Sequence, residues 1–323
     1  MVKEIKLREL FDKNKNIVIN TDIDGFLSGM ILQKYYGCKV VGFSDSKNTV
    51  WLSPEIKDID SPVYIDIYVA RPNVTCIDQH IIAYDKNHHD EIVSYGNKLN
   101  PNLLRERTFV GDMESDYFHK YPFGTVHFLM ALMAQEGITV DLPDLSAEHI
   151  FNENGISYST SAGHVLLRAD DALNSTLSPY RPNALDWWKW LDPNHEYEAI
   201  EKMRNFIDSC DSNRSQEYKR NVGSFFRNFL GCSGSDGAFN NVVNAEGHIL
   251  PKILNYRDII CGIMKMDLDL PLDYVTHKAE YCIDRVNSSN TPGILQERAL
   301  YSYAFIFGPY SRKENFSYTV NMS

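Results

Sequence analysis

One strand-like run that ends in a pair of aspartates constrains the fold of this chain more than any other segment. Residues 17–19 are apolar, Asp22 and Asp24 follow one residue apart, and Gly25 then opens a segment whose apolar residues recur at helical spacing. The order of strand, short turn and helix is typical of an open α/β sheet. Ligands of such sheets bind at the carboxyl ends of the strands, so we expect both carboxylates to face a binding crevice.

Two carboxylates this close together repel each other unless a proton or a cation lies between them. A hard divalent ion, held by oxygen ligands, is the usual solution in proteins. Such an ion is also the starting point of a site that hydrolyses phosphate esters. The pair Asp22 and Asp24 therefore predicts a metal site at the end of the first strand.

Three further apolar runs end in the same way and read as strands. The residues that follow them are Asp66, Asp78 with His80 two positions later, and Asp170, for which Asp171 is a near alternative. If the runs are neighbouring parallel strands, their ends converge at one edge of the sheet, and the cluster could hold two divalent ions with one bridging carboxylate. The alternative is that each aspartate only favours a turn and caps the next helix.

The charge of the chain argues against one class of partner. Among 323 residues, 43 are Asp or Glu and 32 are Lys or Arg, which gives a net charge of −11. Binding of long duplex DNA depends on a basic surface, so we do not expect it here. A short oligonucleotide or a nucleotide is compatible with this charge, because a metal and a few basic side chains can hold it locally.

Compartment and membrane contact follow from simple features. No apolar run approaches the ~20 residues that span a bilayer, and residues 1–6 lack the apolar core of a signal peptide. The six cysteines are scattered without a C-x-x-C pair, which is typical of reduced thiols. We therefore expect a cytoplasmic protein without a membrane partner. Assembly into a homo-oligomer is left open.

Strand-like and helix-like segments alternate in the first half of the chain, which predicts an α/β fold with a largely parallel sheet. A block rich in aromatic residues with helical spacing follows, and a glycine- and serine-rich break begins at Gly231. We predict a metal-binding catalytic domain at residues 1–185, a helical connector at 186–230, and a smaller α+β domain on the substrate side at 231–323.

The ordered motifs resemble those of the DHH phosphoesterases, a superfamily that includes RecJ-type exonucleases, oligoribonucleases, exopolyphosphatases and family II pyrophosphatases. The matching residues are the D-x-D-G-x-x-S set of Asp22, Asp24, Gly25 and Ser28, then Asp66, Asp78 with His80, and Asp170. The segment Asn100-Pro101-Asn102 is also similar to one found there. The resemblance covers residues 16–175 well and the C-terminal third poorly.

The resemblance implies a two-ion site, typically of manganese. Asp22 would bind one ion, Asp24 the other, and Asp66 would bridge them, while Asp170 would complete the shell of the second ion. His80 would face the substrate phosphate, and we assign it with Asp78 as the catalytic pair.

Two residues depart from the pattern of this superfamily. Gln79 stands where the first histidine of the D-H-H motif, a metal ligand, is expected, and Asn20 stands where relatives carry His or Asp. Amide oxygens bind hard cations but are weaker ligands than imidazole for Mn²⁺. Three outcomes stay open: a harder ion such as Mg²⁺, a weakened site, or a site that no longer catalyses. We keep Gln79 as a metal ligand and Asn20 as a substrate-binding residue.

Further substrate contacts are assigned to Ser28 in the first motif and to Gly124 and Thr125, where a predicted helix begins and its backbone N–H groups could bind phosphate. The predicted function is divalent-metal-dependent hydrolysis of a phosphodiester or phosphoanhydride, in a short oligonucleotide or a nucleotide, with Mn²⁺ or Mg²⁺ as cofactor. The alternative is a DHH-fold protein that has lost catalysis and binds a nucleotide or a protein partner.

Overall fold

The computed structural model describes residues 6–112, 117–169, 183–210, 221–234, 237–285, 291–296, 299–307 and 314–322. The predicted ligand Asp170 and its alternative Asp171 lie outside these ranges.

The described chain contains both helices and strands. In order they are α1 (Leu7–Lys13), β1 (Asn16–Asn20), α2 (Ile23–Tyr36), β2 (Lys39–Ser44), β3 (Thr49–Leu52), β4 (Val63–Ile65), β5 (Cys76–Ile77), α3 (Lys86–Ser94), β6 (Lys98–Leu99), α4 (Pro101–Leu104), a 3-10 turn (Tyr117–His119), α5 (Thr125–Gln135), β7 (Glu148–Glu153), β8 (Ile156–Ser161), α6 (Ala162–Arg168), α7 (Asn183–Leu191), α8 (Glu198–Ser209), a π-helical turn (Phe225–Phe229), α9 (Pro251–Met264), β9 (Val275–Lys278), β10 (Glu280–Arg285), α10 (Thr291–Leu295), β11 (Leu300–Phe307) and β12 (Glu314–Val320).

A seven-stranded sheet in the order β6-β5-β4-β1-β2-β3-β9 lies at the centre of the fold. The first five strands in this order are parallel, and β3 and β9 are antiparallel to their neighbours. The predicted α/β fold with a largely parallel sheet is therefore confirmed. Because parallel strands share one carboxyl edge, the residues that follow β1, β4 and β5 are brought to the same side.

The side chains of β1 alternate between two apolar cores, as the two-residue period of a strand requires. Ile17 and Ile19 pack with the core that contains the helices α2 and α5. Val18 packs on the opposite face, in a core with Tyr64 and with Tyr301 of β11. The large sheet is thus covered by helices on one face and by a small sheet on the other.

The small sheet has the order β10-β12-β11 and is antiparallel throughout. It is joined to the large sheet by a very short link: β9 pairs with β3, and after the single residue Ala279 the chain continues into β10. The backbone N–H of Ala279 donates to the carbonyl oxygen of Asn48 at 2.9 Å. The C-terminal third therefore contributes a strand to the large sheet, while the domain limits at residues 185 and 230 stay predictions.

One predicted strand is a helix. The apolar run before Asp170 forms α6, whose N-terminus is capped by Ser161, because the Ser161 side chain accepts a hydrogen bond from the His164 N–H. A short apolar run does not distinguish a buried strand from a buried helix. Asp170 therefore follows a helix, and the prediction that it ends a strand of the parallel sheet is wrong.

None of the helices in the described ranges combines the length and the apolar character that crossing a membrane requires.

Candidate metal centre

Two acidic side chains and one imidazole meet at the carboxyl edge of the large sheet. Asp66 follows β4 and Asp78 follows β5, and these two strands are adjacent and parallel. One ligand atom from each of Asp66, Asp78 and His80 lies within 4.8 Å of the others. We call these three residues the triad. A set of two carboxylate oxygens and one imidazole nitrogen suits a divalent ion such as Mn²⁺.

Asp78 holds His80 in a fixed orientation. The Oδ1 atom of Asp78 lies 2.7 Å from Nδ1 of His80, and its Oδ2 atom accepts a hydrogen bond from the His80 backbone N–H at 3.1 Å. Because an ionised carboxylate only accepts hydrogen bonds, the imidazole proton lies on Nδ1. The other nitrogen, Nε2, belongs to a side chain that is 37% exposed. This is the arrangement by which carboxylates orient metal-binding histidines in other proteins.

Two buried asparagines, Asn100 and Asn102, fix the loop that carries Asp78 and His80. The side-chain amide of Asn100 donates to Asp78 Oδ2 at 3.2 Å and to the His80 carbonyl oxygen at 2.9 Å. Asn102 donates to the Gln79 carbonyl oxygen at 2.7 Å. Sequence reasoning noted this segment only as similar to one in the superfamily, and the structure gives it a positioning role.

The side-chain amide of Gln79 lies next to His80 of the triad. The Gln79 side chain is 2% exposed, and its amide nitrogen lies 3.3 Å from His80 Nε2. Its amide oxygen is buried and has no hydrogen-bond partner among the described residues. A buried oxygen without a donor is costly unless a ligand satisfies it. The donor set of the triad, two carboxylates and one imidazole, is of the kind that fits a divalent ion.

Asp66 has a backbone conformation that only a constrained residue adopts. Its φ angle is 63°, in the left-handed region, although it is not glycine. Such a conformation costs roughly 1–3 kcal/mol and is found preferentially at functional sites. Its backbone N–H donates to the Ile77 carbonyl oxygen at 2.8 Å, which ties the turn after β4 to β5. The strained turn places the Asp66 carboxylate next to Asp78.

Asp24, a predicted metal ligand, binds the N-terminus of a helix instead of facing the crevice. Its two oxygens accept the backbone N–H groups of Thr125 at 2.6 Å and Val126 at 2.9 Å, at the start of α5. A Cβ atom on Gly124 would lie 2.7 Å from Asp24 Oδ2, so only glycine lets the carboxylate approach. Gly124 and Thr125 were predicted to bind phosphate; in the structure the Thr125 N–H donates to Asp24, whereas the Gly124 N–H donates to His127 Nδ1 at 3.0 Å.

The side chains of Asn20 and Thr125 also donate hydrogen bonds to carboxylates. The Asn20 amide nitrogen lies 3.0 Å from Asp22 Oδ2 and 3.0 Å from Asp66 Oδ2. The Thr125 hydroxyl donates to Asp66 Oδ1 at 2.8 Å. The predicted substrate contacts of these two residues are therefore replaced by contacts to acidic side chains.

Ser28, also predicted to bind substrate, lies one turn further along α2 and is fully buried. Its hydroxyl has no hydrogen-bond partner among the described residues. The structure does not bring it to the crevice.

Burial and mutual repulsion shift the acidity of this cluster. Burial raises the pKa of Asp66 well above its ordinary value, and the carboxylates of Asp24, Asp22 and Asp78 raise it further. Burial also raises the pKa of Asp24, against the opposing effect of the N–H groups of Val126 and Thr125. The two side chains titrate as a pair that favours retaining a proton between them.

A small cavity of about 180 Å³ adjoins Asp66 and His80. Its walls come from the turn between β2 and β3, from residues after β4, and from β11 and β12 of the small sheet; they include Lys47, Tyr68, Ser302, Tyr303 and Thr319. Lys47 is the one Lys or Arg among the described residues that line it. The cavity is smaller than the pockets that hold drug-sized ligands, so it suits a small ligand or the end of a larger one.

Comparisons with known proteins do not add to this picture. No protein-family model, no curated protein and no solved structure matches this chain.

Proposed function

We propose that this chain is a divalent-metal-dependent phosphoesterase, which hydrolyses a phosphodiester or phosphoanhydride in a short oligonucleotide or a nucleotide. The observation that carries the proposal is the triad, whose ligand atoms lie within 4.8 Å of one another at the ends of two neighbouring parallel strands. The resemblance of the ordered motifs to the DHH phosphoesterases supports it. The finer DHH-type layout, with a catalytic domain, a helical connector and a smaller substrate-side domain, is part of the same proposal.

Asp66, Asp78 and His80 would hold Mn²⁺ or Mg²⁺, with the unpartnered oxygen of Gln79 as an additional donor. When bound, the ion supplies positive charge to the phosphoryl oxygens and lowers the pKa of a bound water.

His80 and Asp78 provide the proton-handling pair. Asp78 Oδ1 lies 2.7 Å from His80 Nδ1, and His80, whose other ring nitrogen is Nε2, lines the cavity. The Nε2 atom can bind an ion or accept a proton from an attacking water, and the Asp78 carboxylate stabilises the imidazolium that results. Asn100 and Asn102 keep the loop in this orientation.

Lys47 provides a positive charge at the wall of the cavity. Its side chain is exposed, and no ion pair of Lys47 is formed within the described part of the chain. In a chain of net charge −11, one cation at the cavity favours a ligand with one or few phosphates over a long polyanion.

The test is hydrolysis of a generic phosphodiester and of a short oligonucleotide with Mn²⁺ or Mg²⁺. The wild-type protein should hydrolyse at least one of them, and both Asp78→Asn and His80→Asn should remove the activity. Asp141→Asn is the matched control, since Asp141 is exposed and distant from the triad in sequence. An inactive wild-type protein with both ions would contradict the proposal, as would full activity in both triad variants.

A second candidate is a protein that binds a nucleotide without turnover. Two features favour it, because both weaken the metal ligands that the superfamily pattern implies. Asp24 is hydrogen-bonded to the N-terminus of α5, and Gln79 stands where a histidine ligand is expected. A nucleotide that raises the melting temperature but is recovered unchanged would support this candidate.

A further inference from the structure

A chain of hydrogen bonds that begins at helix α3 ends at the wall of the cavity. The Nε2 atom of His88 in α3 lies 3.0 Å from the Tyr303 hydroxyl, which has a longer contact, at 3.4 Å, to the Tyr68 hydroxyl. Tyr303 belongs to β11, and Tyr68 follows the end of β4 by three residues. Both tyrosines line the cavity together with Asp66 and His80, so the chain joins the two sheets beside the triad.

A backbone donor sets the direction of these bonds. The Tyr84 N–H donates to Nδ1 of His88 at 3.1 Å, so this nitrogen carries no proton. Burial lowers the pKa of His88, which favours the neutral imidazole. A neutral imidazole has one proton, which therefore lies on Nε2 and is donated to the Tyr303 oxygen. Tyr303 in turn donates its own proton to the oxygen of Tyr68.

The hydroxyl proton of Tyr68 is left over at the end of this chain. The Tyr68 oxygen accepts from Tyr303, and its proton has no acceptor in the part of the chain that the structure describes. The side chain is 4% exposed, and burial raises its pKa well above the ordinary value, so the hydroxyl stays protonated at neutral pH. A buried donor without an acceptor is costly unless a ligand accepts from it.

A second pair of tyrosines between the same two sheets has no such unused donor. Tyr301 donates to the Tyr64 hydroxyl at 2.8 Å, and Tyr64 donates to the carbonyl oxygen of Ile59 at 2.7 Å. Neither tyrosine is among the described residues that line the cavity. The proton without a protein acceptor thus belongs to the pair at the cavity.

Phosphoryl oxygens fit this donor, because they are strong hydrogen-bond acceptors and carry negative charge. Lys47, which lines the same cavity, supplies a cation for that charge but no fixed direction. We propose that the Tyr68 hydroxyl donates a hydrogen bond to a phosphoryl oxygen of the ligand in the cavity, and that Tyr303 and His88 position this hydroxyl. The inference rests on the proposed function at phosphate groups and adds a substrate-binding residue to it.

Isothermal titration with inorganic phosphate, in the presence of Mg²⁺, tests the donor. Tyr68→Phe removes only the hydroxyl and should weaken phosphate binding roughly 10–100-fold, because a hydrogen bond to a charged group is lost. Its affinity for Mg²⁺ without phosphate should equal that of the wild type. Tyr301→Phe is the matched control, since it removes a hydroxyl from the other pair and should leave phosphate binding unchanged.

The role of Tyr303 is tested by a double variant. Tyr303→Phe should weaken phosphate binding by less than Tyr68→Phe does, and it should add no further loss in the protein that already carries Tyr68→Phe. Additive losses would overturn the positioning role, because they would show that Tyr303 acts independently of the Tyr68 hydroxyl.

Equal phosphate affinity in the wild type and a folded Tyr68→Phe variant would overturn the proposal, as would a wild-type protein that binds no phosphate. If Tyr68→Phe does not fold, unchanged affinity in Tyr303→Phe overturns it instead. Hydrolysis is assayed separately. Phosphate binding that depends on Tyr68 in a protein that hydrolyses nothing would support this inference and contradict the proposed hydrolysis.

Discussion

At the scale of single residues, Gly124 marks a helix start whose backbone donors bind a side chain of the same protein. Its place before a helix suggested backbone donors for phosphate, and the N–H groups of the next two residues, Thr125 and Val126, do bind an anion. The anion is the carboxylate of Asp24, which lies 101 residues before Thr125 in the chain. No local pattern reports a contact over that distance, so the sequence identified the donors but not what they hold.

We expect Gly124→Ala to destabilise the protein. The added Cβ would lie 2.7 Å from Asp24 Oδ2, so the carboxylate must move and its bonds to α5 weaken. Overpacking of this kind costs about 1–3 kcal/mol. Urea unfolding should measure the loss. Gly262→Ala is the control: it lies in α9 with open space around the new atom, and should stabilise by roughly 0.5–1 kcal/mol. Equal effects of the two changes would contradict this account.

His127 gives the protein a predicted pH dependence. It is fully buried in α5, its Nδ1 accepts the Gly124 N–H at 3.0 Å, and burial lowers its pKa to about 4. The unfolded chain, with a pKa of about 6.5, binds the proton more readily than the folded chain. Stability is therefore lost as the pH falls from 6.5 to about 4, by about 3 kcal/mol from this residue alone.

Urea unfolding at a series of pH values measures this loss. His127→Gln should be less stable than the wild type at pH 7 but should lose less on acidification. The comparison isolates His127, because His164, whose pKa burial also lowers to about 4, is present in both proteins. Parallel pH profiles would show that His127 does not carry the effect.

At the scale of elements, the strands before Asp66 and Asp78 were predictable because short Val- and Ile-rich runs bounded by turn residues are typical of a buried parallel sheet. The helix α6 was not, because its apolar run has the same composition. Its cap, Ser161, is equally common in turns. The candidate site was thus predictable where it depends on strand ends, and not where it depends on how helices dock.

We expect Asn100, the N-cap of α4, to control the affinity of the metal centre for its ion. Asn100→Ala removes the bonds to Asp78 and to the His80 carbonyl as well as the helix cap. Loss of the cap costs about 1 kcal/mol, and loss of a group that orients a ligand weakens metal binding by roughly 10–100-fold. Isothermal titration with Mn²⁺ measures the affinity.

The control for this change is Asn97→Ala. The Asn97 side chain donates to the Pro72 carbonyl oxygen and makes no hydrogen bond to the triad within the described structure. It should leave the affinity for Mn²⁺ unchanged. A similar affinity for wild type and Asn100→Ala would show that the loop holds its shape without the asparagine.

At the scale of the whole molecule, the docking of the small sheet was the least predictable feature. Alternating aromatic residues indicated the strands β11 and β12, but not that Tyr301 of the small sheet would contact Tyr64 of the large sheet, with their hydroxyls 2.8 Å apart. Contacts between residues 237 positions apart depend on the packing of complete sheets, which local periodicity does not encode.

Divalent ions should stabilise the folded protein as a whole. An ion that binds only the folded state, at about 100 times its dissociation constant, adds about 2.7 kcal/mol, or roughly 5 °C in melting temperature for a protein of this size. Differential scanning fluorimetry with Mn²⁺ measures the shift. Asp78→Asn should abolish it and Asp141→Asn should retain it. An equal shift in Asp78→Asn would place the ion elsewhere.

The one-residue link at Ala279 limits how far the large sheet and the small sheet can move apart. Enzymes that close two lobes around a ligand need a linker that lets the lobes separate, whereas one residue spans only about 3.8 Å. At this edge the two sheets that wall the cavity are therefore fastened together, and the Tyr64–Tyr301 contact fastens them again. We expect ligands to enter through a mouth of constant width, so that stopped-flow binding shows a single phase whose rate rises linearly with ligand concentration.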